Sequence, residues 1–416
     1  MYNLENINAN HTIYIGRQPI LNKQQQIVAY EILFRASEAN NFPNIEGSKA
    51  TAKIMCSLLF CVGLDSVVGN KKAFINFTRD LLINGLPELL PPSQVVVEIL
   101  EDVVIDNSVI EACKSLVEQG YILALDDFFI KPDIEELLKI SHIIKIDWKE
   151  TDIGQIHELL EYLKPFGLKF LAEKVETSSE VKQAQKMGFD FFQGYFFYKP
   201  EIIKKRTVPP SKWTYLKLIS QLHNPDFDWK DLENTISKDA IISYKLLRYI
   251  NSAGLGISQK ITNIGQAIIM LGAKKVRQWL SMMALANITG THGMPLLTTA
   301  FIRAKFCEGA GELVIGREMA GGLFLTGLLS LLDAIMGKPM EEILAPLAID
   351  PNVEHCLLYR KGPFALFLRM ALAYEKGNFT LVDKIAHKMK LSSEQVTRCY
   401  LLALREAEDI LKLCNQ

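Results

Sequence analysis

Two adjacent acids, Asp126 and Asp127, end an apolar run in the first half of the sequence (ILALDD, Ile122–Asp127). A second apolar run ends Lys145-Ile146-Asp147, and between the two lies a short helical stretch, Asp133–Lys139. The order is strand, crossover, strand, the unit of a parallel sheet with both faces buried. Charges at the carboxyl end of a buried strand are costly unless they are paired or hold a metal. In parallel barrels that end is where chemistry is placed. Asp126, Asp127 and Lys145 brought together there suit a divalent cation and a phosphate. They also suit a simple ion-paired strand end.

The elements that must position these groups recur along the first two hundred residues. Strand-like runs fall at Ile27–Phe34, Ala73–Phe77, Val95–Ile99, Ile122–Asp126, His142–Ile146, Lys169–Ala172 and, more weakly, Phe189–Gln193. Amphipathic helices are expected at Thr51–Phe60, Asn107–Gln119, Asp133–Ile140, Gly154–Tyr162 and Ser178–Met187, with spacings such as Ile110, Cys113, Leu116 and Val117. This alternation predicts an α/β barrel or an open doubly wound sheet, and no glycine-rich phosphate loop follows any strand to favour the sheet. The polar residues decide between them. Glu31, Asn76, Glu98, Asp126 with Asp127, Lys145 with Asp147, Glu173 and Gln193 each sit in or at the end of a strand-like run. They converge only if the strands close in a ring. Mg²⁺ or Mn²⁺ favours such carboxylate and amide oxygens and can activate a bound water. Lys145 would supply positive charge to an oxyanion or hold the attacking water, and Arg35 would grip a phosphate. Metal-assisted hydrolysis or binding of a phosphodiester is the class these residues imply.

Length and composition set the frame. At 416 residues, more than one domain is expected. A net charge of −1, from 46 basic and 47 acidic residues, argues against a nucleic-acid partner. The N-terminus lacks the pattern of a signal peptide, and the longest uncharged apolar stretch, Met319–Leu332, is too short to span a bilayer. The seven cysteines form no CxxC pair and no ligand spacing with histidine, which fits free thiols in a reducing cytoplasm.

These residues resemble those of EAL domains, the bacterial cyclic-di-GMP phosphodiesterases. Glu31-Ile32-Leu33-Phe34-Arg35 is similar to E-A-L-x-R, Phe74–Thr78 to the N-x-S strand, and Val97–Glu101 to E-I-T-E. Leu125–Phe128 matches D-D-F, Ile144–Asp147 matches I-K-x-D, and Ala172–Glu176 resembles A-E-G-V-E. Gln193-Gly194-Tyr195 with Lys199-Pro200 matches the closing Q-G-Y and K-P. The motifs keep the family's order over residues 14–203. The resemblance implies a modified TIM barrel with Glu31, Asn76, Glu98 and Asp126 at a first Mg²⁺ or Mn²⁺, and Asp127 joining Asp126 at a second. It also implies Lys145, Glu173 and Gln193 around the attacking water, Arg35 on a ligand phosphate, and Glu176 with Asp147 supporting the catalytic loop.

Departures accompany it. The family's F-G-T-G loop is replaced by Phe128–Pro132 (FFIKP), whose Phe129 and Ile130 do not share glycine's backbone freedom. Glu176 is thereby expected to lose its loop partner. Lys174 stands where the family has glycine, placing a cation beside Glu173, and Pro43–Lys49 holds no clear counterpart of a further glutamate.

The second half differs in kind. Residues 201–212 (EIIKKRTVPPSK) are basic, proline-containing and aperiodic, a linker. Beyond it the spacing predicts helices only: Trp213–Leu222, Lys230–Ile236, Ile241–Asn251, Gly265–Leu271, Lys274–Ala286, Leu296–Leu313, Ala320–Met336, Met340–Leu347, Pro363–Lys376, Thr380–Met389 and Ser392–Leu413. Ser237–Ala240 with Lys245–Ala253, and Ile261–Arg277, resemble segments of HDOD domains, helical relatives of the HD phosphohydrolases. No His-Asp dipeptide occurs, and in Thr326–Gly337 (TGLLSLLDAIMG) Ser330 and Leu331 stand at the metal-ligand positions. His223, His292, His355 and His387 lack ligand spacing and read as ordinary surface or capped histidines. An interaction or output role, not catalysis, is what the resemblance implies.

The expected division is 1–203 EAL-like, 204–212 linker and 213–416 HDOD, in a cytoplasmic protein with cyclic-di-GMP as ligand. A protein partner acts through the helices, and a homodimer is an option. A cyclic-di-GMP receptor with impaired catalysis and an active phosphodiesterase stand as alternatives. A ligand-free scaffold is a third, opposed by the retention of eight polar residues at costly strand ends.

Overall fold

A computed structural model describes residues 13–36, 64–129, 134–194, 210–223, 246–247, 250–251, 261, 264–289 and 293–414. The chain forms two compact units, residues 1–201 with Leu372–Arg398, and Ile202–Ala371 with Cys399–Gln416. Among the described residues no helix is long and apolar enough to cross a membrane.

The first unit is organised on a closed barrel whose eight strands neighbour one another in chain order. They are β1 (Ile13–Asn22), β2 (Ile27–Ala36), β3 (Lys72–Phe77), β4 (Val95–Ile99), β5 (Ile122–Leu125), β6 (Ile143–Asp147), β7 (Lys169–Glu173) and β8 (Phe191–Gln193). β1 runs antiparallel to β2 and β8, and all other neighbours are parallel. The connections carry α1 (Leu64–Val68), α2 (Arg79–Ile83), α3 (Asn107–Glu118), α4 (Glu135–Ile140), α5 (Ile153–Leu163) and α6 (Ser178–Met187). Their starts obey local chemistry. Asp106 caps α3, while Asp152 with Gln155 and Thr177 with Glu180 form capping boxes on α5 and α6.

Side chains alternate faces along a strand, so residues two apart share one. Ile20, Ala29, Phe74, Val96, Ala124, Ile143 and Leu171, one from each of β1 to β7, meet in an apolar layer inside the barrel, with Phe191 of β8 packed against it. Two residues further towards the carboxyl ends come Glu31, Asn76, Glu98, Asp126, Lys145, Glu173 and Gln193. On antiparallel β1 the same step runs backwards, from Ile20 to Gln18. A polar ring thus stands on an apolar floor.

β1 was not expected. Its sequence, IYIGRQPILN, is interrupted by Gly16, Arg17 and Pro19 and shows neither a continuous apolar run nor clean alternation. The expected helix at Thr51–Phe60 and the Pro43–Lys49 segment lie outside the described residues.

In the second half the described helices are α7 (Pro210–Leu222), α8 (Ile264–Leu271), α9 (Ala273–Thr289), α10 (Met294–Val314), α11 (Arg317–Leu329), α12 (Leu332–Met336), α13 (Met340–Leu344), α14 (Pro351–Tyr359), α15 (Ala365–Glu375), α16 (Phe379–Lys388) and α17 (Ser393–Cys414). Within the second unit, α10 is buried along most of its length and carries its central core. Gly327 of α11 lies so close to it that a Cβ there would sit 2.4 Å from the Ala304 backbone nitrogen. Asn378 and Ser392 accept N-terminal N–H groups of α16 and α17, as expected. α7 begins inside the expected linker, the expected Ala320–Met336 helix breaks at Ser330–Leu331, and α14 was missed. The expected helix at Lys230–Ile236 and most of that at Ile241–Asn251 lie outside the described residues.

The C-terminal part of the chain is divided between the two units. Leu372–Arg398 belongs to the barrel unit. Phe379 stacks on Tyr14 of β1 with ring centroids 5.1 Å apart, Tyr374 meets Tyr14 edge-on at 5.8 Å, and the Tyr14 hydroxyl donates to Asp383. A Cβ on Gly16 would lie 3.2 Å from the Phe379 ring. Burial of Tyr14 and Phe379, both at most 3 % exposed, draws this segment onto the barrel.

Candidate active site

At the centre of the polar ring is Lys145, 1 % exposed. Its ammonium lies 2.7 Å from Glu173, 2.8 Å from Asp126 and 3.7 Å from Glu31, and it donates a hydrogen bond to Glu98. Four carboxylates therefore share one cation in a place almost without water. Burial opposes the charge on Lys145, but Glu31, Glu98, Glu173 and Asp126 outweigh it and hold its pKa well above the usual lysine value. Burial pushes Glu98 well up, with Lys145 pulling it back, and pushes Glu173 up to about 8. One positive charge does not neutralise this cluster.

The surrounding amides orient the acids. The Gln193 amide donates to Glu31 at 2.6 Å and to Gln18 at 2.9 Å, and Asn76 donates to Glu31 at 3.4 Å. Gln193 is fixed from behind. Gly194, at φ 145°, lies against Val175, whose carbonyl oxygen would be 2.1 Å from any Cβ, and the Val175 N–H donates to the Gln193 carbonyl at 3.0 Å. Gln18 was missed because its strand was missed.

The residues fit a divalent cation. Carboxylate oxygens of Glu31, Glu98 and Glu173 lie within 4.8 Å of one another, as do those of Asp126, Asp127 and Glu173. Among the described residues these are the two clusters of their kind. Asn76 Oδ1, Glu98 Oε2, Asp127 Oδ1 and Gln193 Oε1 are buried without a hydrogen-bond partner. Orphaned oxygen acceptors around excess carboxylate are the donor set that Mg²⁺ or Mn²⁺ takes.

The outer residues are arranged differently from expectation. Asp147 accepts from the N–H groups of Lys149 (2.7 Å) and Glu150 (3.0 Å) and pairs with Lys174. Glu176, expected to lose its loop partner, pairs with Lys149 at the β6 turn. Both acids thus bind the β6 and β7 turns. Asp127 (φ 37°) and Lys174 (φ 53°) adopt left-handed backbone that non-glycine residues rarely occupy. Past Asp127, Phe128 donates its N–H to the Lys145 carbonyl at 3.1 Å, and the Phe129 side chain is over half exposed. Residues 130–133 and the Arg35 side chain lie outside the described residues, so the phosphate contact expected of Arg35 is not described.

In the second unit Ser330 accepts from Arg303 at 3.1 Å and donates to the Gly327 carbonyl at 2.7 Å. Asn251 holds the backbone, donating to the Leu247 and Ile261 carbonyls and accepting the Ile261 N–H, each at 2.7 Å. Arg248 and Ser252 lie outside the described residues. His223, expected at the surface or capped, is instead packed on Phe324 and 3.1 Å from the Ser281 hydroxyl. Burial, with Arg277 nearby, pushes it down to about 3.

Comparison with known proteins places these features. The EAL domain model matches residues 70–200 and the HDOD domain model residues 208–336. A cyclic di-GMP phosphodiesterase of Vibrio cholerae, CdgJ, is 34 % identical over 97 % of this chain and 94 % of its own length. The Bacillus subtilis protein YuxH, described as uncharacterized, is 33 % identical over 96 % of this chain and 99 % of its own. Among solved structures, the PaMucR phosphodiesterase in complex with c-di-GMP is 20 % identical, covers 44 % of this chain and 94 % of that one, and gives a TM-score of 0.38.

Proposed function

The chain belongs to the family of proteins that join an EAL domain to an HDOD domain, and on that premise we propose that its barrel binds cyclic-di-GMP with a divalent cation and opens it slowly to the linear dinucleotide. The observation that carries this reading is Lys145 buried among Glu31, Glu98, Asp126 and Glu173, with unpartnered oxygens beside them. A barrel without chemical work would gain stability by replacing such a cluster with apolar side chains. The relative CdgJ is named a cyclic di-GMP phosphodiesterase.

Glu31, Asn76, Glu98 and Asp126 would hold Mg²⁺ or Mn²⁺, with Asp127 and Glu173 beside them. When bound, the cation supplies Lewis-acid polarisation of a phosphate oxygen and a water acidic enough to deprotonate near neutrality. Glu173, freed of its proton once a cation is bound beside it, takes the proton of the attacking water at its carboxylate. Lys145 holds that water and offsets charge gathering on the phosphorane oxygens. Gln193 and Asn76 keep Glu31 turned inward, and Arg35 steadies a phosphate. The slow rate follows from Phe128 and Phe129, which replace a glycine-bearing loop. Supporting residues of this kind commonly govern rate before they govern binding.

The helical unit carries the output, through a protein partner. Its α8 leaves Ile269 and Met270 exposed, which supports a contact surface there. The test is incubation of the full chain with cyclic-di-GMP and Mn²⁺, following both binding and linear product. Turnover lost in Glu31→Ala supports the reading. Tight binding with no product would make the barrel a receptor, and absence of both would leave a scaffold.

A further inference from the structure

Resting on the reading above of Arg35 as the residue that steadies a phosphate, we propose that α16 positions it: Asp383 and Phe379 clamp Tyr14 of β1 and so fix Arg35, which lies opposite on β2.

The β1–β2 ribbon runs on past the polar ring towards the carboxyl ends of the barrel strands. Gln18 pairs with Glu31, Gly16 with Leu33 and Tyr14 with Arg35, so Arg35 lies two such pairs beyond the ring. Among the described residues β8 meets β1 only at Ile20–Asn22. The outer part of β1, Ile13–Pro19, therefore has β2 as its one described strand neighbour. A two-stranded ribbon is marginal by itself in water and needs packing on a face.

That packing comes from α15, α16 and the turn between them. Tyr14 and Gly16, two residues apart, share a face of β1. Phe379 stacks on Tyr14 and Tyr374 meets it edge-on. A Cβ on Gly16 would lie 3.2 Å from the Phe379 ring and 3.5 Å from the Tyr374 carbonyl oxygen. One on Gly377 would lie 2.9 Å from Leu33 Cδ1, so the turn touches both strands of the ribbon. The Tyr14 hydroxyl donates to Asp383 Oδ1, which also accepts from the Ser393 hydroxyl at 3.1 Å. The start of α17 thereby holds the acceptor in place.

The two ends of the ribbon are held by different means. The Glu31 end is locked by β8 pairing at Ile20 and by the Gln193 amide, which donates to both Gln18 and Glu31. The Arg35 end relies on the clamp at Tyr14. Loosening that clamp displaces Arg35 and leaves Glu31 and its neighbours in place. A guanidinium that grips a phosphate with two hydrogen bonds tolerates little displacement.

The experiment takes the full chain with cyclic-di-GMP and Mn²⁺. It measures the dissociation constant, KM and kcat, and, without the nucleotide, Mn²⁺ affinity by calorimetry. Asp383→Ala, and Tyr14→Phe, which keeps the stacked ring, should each raise Kd and KM about tenfold, with kcat and Mn²⁺ affinity unchanged to about twofold. Asp383→Asn, which retains an oxygen acceptor for the Tyr14 hydroxyl, should restore both constants. In an Arg35→Ala background Asp383→Ala should add nothing, because the two act through one contact. Wild-type Kd in Asp383→Ala, or full additivity with Arg35→Ala, would overturn the inference and leave the metal-dependent reading standing. So would a fall in Mn²⁺ affinity that matches the rise in Kd, the mark of a generally loosened barrel. An unchanged Kd in Arg35→Ala would overturn the role of Arg35 and the inference with it, and no nucleotide bound by the wild type would overturn the proposed function as well.

Discussion

Replacing Lys145 by methionine tests the centre of the barrel most directly. The substitution keeps an unbranched side chain of similar length in the same space and removes the one charge that Glu31, Glu98, Asp126 and Glu173 share. Breaking a buried ion pair from one side costs about 3–5 kcal/mol, because it strands the remaining charge. A unit of roughly two hundred residues loses about 2–4 °C of melting temperature per kcal/mol, so the barrel transition should fall by about 6–20 °C in chelator at pH 8. Glu98 and Glu173 already have raised pKa values in the wild type. A raised carboxyl binds a proton in the folded state that the unfolded chain has released, so its contribution is present at low pH and lost as pH rises through the folded value. The deficit of Lys145→Met should therefore be smallest near pH 6 and grow towards pH 9. Saturating Mn²⁺ should close most of it, while turnover stays abolished. Calorimetric melts across that range would refute the reasoning if the variant matched the wild type at pH 8, or if the deficit did not change with pH.

Three further outcomes follow from the geometry. Binding a cation at Glu98 and Glu173 displaces protons that burial holds on both carboxyls, so Mn²⁺ affinity should rise by at least tenfold per pH unit between pH 6 and 8, in calorimetric titrations. Gly194→Ala forces a methyl group onto Val175. It should lower turnover at least tenfold by shifting Gln193 from Glu31, and a variant with unchanged kinetics would show that Gln193 is not held this way. Phe379→Ala empties the ring stacked on Tyr14 and should destabilise the barrel unit by about 3–5 kcal/mol. Chemical denaturation of the full chain measures it.

The polar ring was legible because period-two alternation is a property of sequence. Once the strand-like runs were aligned, an acid, amide or lysine two steps past an apolar floor residue had to point inward with it. Gln18 escaped for the opposite reason. Its strand is antiparallel and contains Gly16 and Pro19, so nothing local marks it as one of the ring. The pairing of Glu176 with Lys149 and of Lys174 with Asp147 was illegible because it depends on where two turns meet after the barrel closes. The fate of α16 was illegible too. An amphipathic helix announces that it has an apolar face, but not which core that face will join.

That helix also orders events in time. The barrel strands are complete by residue 193, yet the segment that covers Tyr14 and Gly16 begins at Leu372. At 5–20 residues per second, a ribosome needs roughly 10–35 s to deliver the intervening stretch. Throughout that interval the β1 surface is presented uncovered to the crowded interior of the cell. The last elements made are therefore needed to finish the first. A translation product interrupted before Leu372 would carry every residue of the polar ring and still leave Tyr14 without its Tyr374 and Phe379 partners.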